Sequence, residues 1–218
     1  MPAGVRLRVV VRGVSPLIVR TIEVPAGVSL ARLHRMLLAC FGWSGECLHV
    51  FEIRGRSYSA LGLVDAERSQ GVTIGSFGLR VGERFCWRYD FCSDWTIDAR
   101  VEAVADIDTP RLISGRRAGP PEWVRGLDEF GEWEDAHSLS EVLDVIAEVL
   151  DAGVGLARFD EQLRQLLGWL GRDVFDRARI NGAVLEACGC EEQLEVPSCN
   201  SLSKSASAPT TTPMMLVS

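Results

Sequence analysis

The stretch from Val24 to Tyr58 constrains this chain more than any other, because it sets a helix with both ends marked between two strand-like segments. Ser29 stands where an N-cap would, its hydroxyl placed to accept from a first-turn N–H that has no partner inside the helix. Arg32 occupies the position of a capping-box Glu, so the reciprocal bond is missing, while Val28 and Leu33 are spaced as a hydrophobic staple. Leu30, Leu33, Leu37 and Phe41 recur at helical spacing and give one apolar face. Gly42 follows where a left-handed terminator belongs, and Trp43 is placed to fold back toward Leu38. His34 falls on or beside the apolar face, either as a core histidine or as a ligand. His49 enters the strand Leu48–Ile53, and with Cys47 it makes a Cys-x-His pair. A zinc site needs about four ligands, or three and a water, and no second pair at suitable spacing follows. No metal and no cofactor is expected.

On either side of this stretch the pattern has period two. Val5, Leu7, Val9 and Val11 share one side of a strand over Val5–Arg12, and Arg6, Arg8 and Arg12 share the other. Gly13-Val14-Ser15-Pro16 turns the chain into a second strand over Leu17–Val24. Phe51–Ile53 and Ser57–Tyr58 flank a corner at Arg54-Gly55-Arg56. Ser59–Gly71 reads as a loop, and Thr73–Leu79 as a short strand or turn. Glu83–Phe91 aligns Phe85, Trp87, Tyr89 and Phe91, and Trp95–Val104 aligns Ile97, Ala99, Val101 and Ala103. The link Cys92-Ser93-Asp94 is short enough to make these an antiparallel hairpin. Pro110–Gly126 reads as irregular, since neither a helix nor a central strand runs through Gly119-Pro120-Pro121.

Ser140–Leu150 is a second amphipathic helix, with Val142, Leu143, Ile146, Val149 and Leu150 expected inward. Asp160–Leu170 and Asp173–Cys188 read as two more helices separated by Gly171. From about Gly189 the chain is Ser/Thr/Pro-rich and aperiodic, and it is expected to be disordered. The fold expectation is α+β, a mainly antiparallel sheet with one packed N-terminal helix and appended C-terminal helices. It divides into a domain over residues 1–152, a helical extension over 153–188 and a tail over 189–218.

Net charge is −7, which argues against general coating of nucleic acid by a basic surface. Its distribution is uneven. Residues 1–60 hold eight Arg against three Glu, a local balance of +5, whereas residues 118–160 hold eleven acids against two Arg, or −9. The two ends either face each other or sit on opposite surfaces, the basic one meeting an anionic partner. Arg6, Arg8, Arg12, Arg20, Arg54 and Arg56 are the candidate binding residues, with a nucleic acid or another protein as the partner. No signal-like leader is recognisable and no apolar run approaches ~18 residues, so a soluble cytoplasmic protein with no membrane contact is expected. The seven cysteines show no disulfide or zinc spacing, and reduced thiols are expected.

The most reactive-looking set is Asp90, Asp94, Glu102 and Glu122, with His49 nearby if the strands pair as supposed. Two carboxylates and a histidine suit acid–base work or a divalent ion. Equally, Asp90 and Asp94 suit the hairpin corner itself, because short acids bond local backbone at turns. Cys92 with His49 as its base is a third arrangement. Trp87, Tyr89 and Trp95 could stack bases or fill the core.

Taken in order, Val24-Pro25, Leu33-His34, Phe41-Gly42-Trp43, Leu48-His49-x-Phe51, Tyr89-Asp90-Phe91, Asp94-Trp95, Glu102, Gly115-Arg116-Arg117-Ala118 and Pro120-Pro121-Glu122 resemble the plasmid pRiA4b ORF-3-like family. Members of that family include proteins labelled as TnpR-type resolvases of insertion elements, and the resemblance implies an association with mobile elements. Where the family reads His-Leu-His, this chain has Cys47-Leu48-His49. Its Phe-Gly-Asp-Asp-Trp-x-His becomes Phe91-Cys92-Ser93-Asp94-Trp95-Thr96-Ile97. Its Cys-Pro-Pro-Glu-Asp-Cys-Gly-Gly becomes Gly119-Pro120-Pro121-Glu122-Trp123-Val124-Arg125-Gly126. The losses fall on polar, cysteine and glycine positions, and the apolar scaffold is kept. Two functional expectations follow: a non-enzymatic binding or accessory protein using the Arg-rich face, and a degenerate hydrolase or nuclease using His49, Asp90, Asp94 and Glu122.

Overall fold

The computed structural model describes residues 4–59, 66–69, 71–136, 138–151 and 160–189. The strands are β1 (Gly4–Val11), β2 (Val19–Val24), β3 (His49–Ile53), β4 (Arg56–Ser59), β5 (Ala66–Arg68), β6 (Arg84–Tyr89), β7 (Trp95–Ala105) and β8 (Arg111–Arg116). The helices are α1 (Leu30–Phe41), α2 (Gly126–Asp135), α3 (Leu139–Asp151), α4 (Asp160–Gly171) and α5 (Arg177–Gly189), with a 3-10 turn over Ile74–Phe77. The strands form one sheet in the order β5-β4-β3-β6-β7-β1-β2-β8, antiparallel except for the β4–β5 pair. The α+β expectation is met.

Alternation puts Val5, Leu7, Val9 and Val11 of β1, Phe85, Trp87 and Tyr89 of β6, and Trp95, Ile97, Ala99 and Val101 of β7 on one buried face. Helix α1 lies on that face with Leu30, Leu33, Met36, Leu37, Cys40 and Phe41 buried. Both ends of the helix form as the sequence dictates. Ser29 Oγ accepts from Arg32 N at 3.2 Å. Gly42 takes φ 79°, and its N–H and that of Trp43 donate to the Leu38 carbonyl at 2.8 and 3.0 Å. At the β3–β4 corner Arg54 and Gly55 both have positive φ, 51° and 75°, as a tight two-residue hairpin turn requires.

The structure departs from the sequence expectations in several places. The segment Pro110–Gly126 is not irregular throughout: Arg111–Arg116 pairs with β2 as the edge strand β8. Its apolar content is thin, and Gly115 sits where a Cβ would overlap the Phe175 ring, so the strand carries little of the usual pattern. Helix α2 went unrecognised because its glycines and acids dilute the inward pair Phe130 and Trp133. Along α3 the periodicity is helical, but only Val142 of the expected inward set is buried. Leu143, Ile146 and Leu150 are exposed, and the Val149 side chain lies outside the described residues. Within the expected loop Ser59–Gly71, Ala66–Arg68 pairs parallel to β4, and residues 60–65 and 70 lie outside the described set. So does the segment from residue 190 onward.

The C-terminal helix α5 packs against α1 and β8, burying Ile180 and Val184. Asn181 Oδ1 accepts from Leu112 N at 2.9 Å, and Arg35 Nε donates to the Ala187 carbonyl at 3.2 Å. Arg20 of β2 joins all of these parts. In the β2 register Thr21 faces out opposite Arg8, which turns Arg20 in beneath the end of α1. Its Nε donates to the Cys40 carbonyl at 2.8 Å, and its Nη1 to the Val19 and Arg116 carbonyls at 2.8 and 3.0 Å. The guanidinium lies 5.3 Å from the Phe41 ring centroid and 5.0 Å from that of Phe175. Arg20, grouped by sequence with the surface arginines, is therefore a core residue. Burial lowers its pKa to about 10, which leaves it charged at neutral pH.

Arg20→Ala strands these carbonyls without a donor. It should destabilise the fold by roughly 3 kcal/mol, read as a lower midpoint in urea unfolding. Arg20→Lys should recover less than half of the loss, because one ammonium cannot span three carbonyls.

Candidate functional site

Two histidines meet at the centre of the interface between α1 and the sheet. His34 projects from α1 and His49 from β3, and their rings stack with centroids 3.4 Å apart and planes 11° from parallel. Trp87 closes the stack edge-on at 5.4 Å from His34, and Phe51 stands at 5.9 Å from His49. Both side chains are buried, and His34 Nδ1 and His49 Nε2 have no hydrogen-bond partner among the described residues. Removal from water penalises the imidazolium. His49 is pushed down to about 4, and His34 is held well below its ordinary value by burial and then by the charge on its neighbour. Lone pairs lie in the ring planes, and parallel rings keep them from converging on one ion. Both histidines are neutral packing elements.

Above this stack the turn after α1 is fastened to the segment following β8. Glu122 accepts from Ser44 N at 2.7 Å, Ser44 Oγ at 2.9 Å and Tyr89 Oη at 2.7 Å. Trp43 Nε1 donates to the Pro120 carbonyl at 2.8 Å, and Gly119 lies so close to the Phe41 backbone that a Cβ would overlap it. Burial, then Glu122, pushes the Tyr89 phenol above its ordinary range; burial, then the charge of Asp90, raises the Cys47 thiol. Neither group ionises near neutral pH.

The β6–β7 turn uses its acids locally. Asp90, at φ 53°, accepts from Cys92 N at 3.2 Å and Ser93 Oγ at 2.5 Å. Asp94, at φ 50°, accepts from Arg88 Nη2 at 2.7 Å on the outer face of the sheet. His49 is on the opposite face, beneath α1. The structure brings Asp90 and Glu122 to the surroundings of Cys47 and Tyr89. It separates Asp94 from His49 by the thickness of the sheet. Among the described residues no group of three or more His, Cys, Asp and Glu side chains is placed to hold a metal.

Of the five arginines other than Arg20 singled out by sequence, four are matched by carboxylates. Arg6 and Arg111 both bind Glu23, at 2.6 and 2.5 Å. Arg12 binds Asp98 at 2.5 Å, Arg54 binds Glu83 at 2.9 Å and Arg56 binds Glu67 at 3.3 Å. Of the six arginines singled out by sequence, Arg8 alone is left on the surface without a carboxylate among the described residues. Sequence reasoning missed its companions. The ladders place Arg8 directly opposite Arg100 of β7, and Arg100 directly opposite Arg84 of β6. The alternation in Glu83–Phe91 and Trp95–Val104 already put Arg84 and Arg100 on the polar side. Only the strand register shows that they line up with Arg8.

A family model described as plasmid pRiA4b ORF-3-like protein matches residues 3–183. The chain belongs to this family. Among its relatives is the uncharacterized protein y4hQ of Sinorhizobium fredii (strain NBRC 101917 / NGR234), 30% identical over 142 residues, covering 61% of this chain and 72% of that protein. Its fold is similar to that in the crystal structure of the protein of unknown function MM3350 from Methanosarcina mazei Go1. The TM-score is 0.62 at 21% identity, over 81% of this chain and 96% of that one. At that identity the likeness shows the fold alone. Among the described residues no helix is long and apolar enough to cross a membrane.

The histidine pair carries a pH dependence with a definite sign. An unfolded chain takes up protons near the ordinary value of 6.5, and the native fold refuses them until about 4 at His49. Stability is therefore full above about pH 7 and declines as pH falls through that window, by about 3 kcal/mol for His49. His34 acts in the same direction. The groups packed on the pair are Trp87 and Tyr89 of β6, Phe51 of β3 and the neighbouring Arg35 of α1. Urea midpoints measured from pH 7.5 to 4.5 (about three units, spanning the ordinary histidine range) should drop steeply for the native chain. The drop should be clearly shallower for His49→Phe.

Proposed function

We propose that this pRiA4b ORF-3-like protein is a non-enzymatic binding protein, an accessory factor of mobile elements, that docks a polyanionic partner on the outer face of its sheet. The observation that carries this reading is the run Arg84–Arg100–Arg8, three cations on adjacent strands with no carboxylate paired to any of them among the described residues. Like charges directly opposite each other weaken a sheet by roughly 0.2–1 kcal/mol per pair. A row that costs the fold and neutralises nothing within it is suited to an external anion. The reactive groups support the same reading: Glu122 is held by three donors, Asp90 by its own turn, Asp94 by Arg88, and the histidines are stacked and neutral. The word plasmid in the family description agrees with a setting on mobile DNA.

Binding of the full chain to labelled nucleic acid, followed by fluorescence anisotropy, should weaken by about tenfold or more between 50 and 200 mM salt. The nucleic acid should be recovered uncleaved. Affinity indifferent to salt, or turnover of the probe, would overturn the reading.

A further inference from the structure

The free arginines do not stand alone. Arg8 is also directly opposite Thr21 of β2, and Thr21 is directly opposite Ser114 of β8. One transverse row therefore crosses five strands, Arg84–Arg100–Arg8–Thr21–Ser114. No side chain in it hydrogen-bonds or ion-pairs with any other described residue. The next positions toward the β7–β8 end are closed by the Glu23 bridges to Arg6 and Arg111. Those on the other side hold the Arg12–Asp98 pair, Cys86 Sγ donating to Glu52 at 3.2 Å, and at the β8 edge the exposed Arg116, which has no carboxylate among the described residues. Arg84, Arg100 and Ser114 are exposed, and Arg8 and Thr21 are half-buried. Their backbones give them a fixed spacing of about 5 Å from strand to strand.

We infer that this row is a track for the phosphate backbone of a single-stranded nucleic acid, which lies across the strands with its phosphates on Arg84, Arg100 and Arg8. This deepens the binding reading above and rests on it. Three arginines rooted on strands about 5 Å apart offer a linear array of guanidinium donors, and the two hydroxyls extend it with neutral ones. Phosphate, repeating at short intervals along a polymer, matches such an array in charge and in form. Duplex recognition needs something that enters a groove, either a helix or a two-stranded ribbon. The row lies on a sheet face that presents neither, so a duplex would touch it over fewer phosphates than a strand laid along it. The row carries no exposed aromatic ring, so bases are not stacked there and the binding is indifferent to sequence.

The arrangement sets a numerical expectation. Three phosphates neutralised on a single strand contribute a slope of about −2 to the plot of log affinity against log salt. The probes are a fluorescein-labelled oligothymidylate of about 20 nucleotides, the same strand in duplex with its complement, and a polyglutamate peptide. The full-length protein is compared with the triple variant Arg8→Gln/Arg84→Gln/Arg100→Gln and with Arg56→Gln/Glu67→Gln, which removes a matched pair elsewhere on the sheet. The expected result is preference for the single strand, with affinity lost and the slope reduced by about 2 in the triple variant. Arg56→Gln/Glu67→Gln should bind as the native chain does. The thermal midpoint of the triple variant should not fall, because two like-charge contacts have been removed.

Binding that persists in the triple variant with its slope unchanged would overturn the track and leave the broader reading standing. Equal or tighter binding to the duplex, or to polyglutamate, would overturn the assignment to a single strand. Absence of binding to every probe would remove both proposals. A thermal midpoint that drops sharply in the triple variant would show that the row serves the sheet rather than a ligand.

Discussion

Arg20 is the residue on which the arrangement of the elements most depends. A guanidinium with no exposure is costly to desolvate, and it is tolerated here because three carbonyls from three parts of the chain converge on it. One belongs to the last turn of α1, where unsatisfied carbonyls and the helix dipole both favour a cation. The others come from β2 itself and from the end of β8. With Phe41 on one side and Phe175 on another, the charge holds the helix end, the sheet edge and the segment leading into α5 in a single geometry. Arg117, buried one residue beyond β8, repeats the device nearby. It donates to the Pro16 carbonyl at 2.7 Å and ion-pairs with Glu134 and, at 3.0 Å, with Asp173.

That anchoring determines what the centre of the molecule can do. Once α1 is seated, His34 and His49 are pressed into a stack among Trp87, Tyr89 and Phe51, where a positive charge is unwelcome. The rim above them is spent on fastening, with Glu122 drawing together Ser44 and Tyr89 and with Trp43 bonded to Pro120. The Glu122 carboxylate has its lone pairs engaged by three donors, and the phenol donating to it, raised by burial and then by Glu122, is a poor acid. Of the residues that looked like chemistry in the sequence, Glu122 holds the turn after α1 against the sheet, Asp90 and Asp94 serve the β6–β7 turn, and His49 fills the stack.

Local pattern made much of this legible. Ser29, the Leu30/Leu33/Leu37/Phe41 face and Gly42 each act within one or two turns of chain, so helix α1 could be read with its ends in place. The aromatic alternation in β6 likewise announced a buried strand. What stayed hidden depends on contacts distant in sequence. Arg20 looks like any other arginine until the β2 register turns it inward. β8 owes its place to pairing with β2, and its own apolar content is too thin to announce it. Asp94 and His49 looked like partners because both lie close to the β6–β7 hairpin, yet side-chain direction alternates, and one residue of offset puts them on opposite faces.

The same period-two rule gives the outer face its meaning. An arginine stripe along one strand is ordinary, because each residue is separated from the next by two positions and water lies between them. A stripe across strands is different, since the backbones hold the roots of the side chains about 5 Å apart. On this sheet most arginines of neighbouring rows have acids opposite or beside them: Glu23 for Arg6 and Arg111, Asp98 for Arg12, Asp94 for Arg88. Pairing is thus common on this face; it lapses along the Arg84–Arg100–Arg8 row and at Arg116 of β8. Random surface variation would scatter unmatched arginines over the face. Here three of them stand in direct register on adjacent strands, with hydroxyls continuing the line, and the sheet gains nothing from the coincidence. The charge pattern, unlike the aromatic core or the histidine stack, has no account within the fold itself. It is the pattern on which the proposed anionic partner rests.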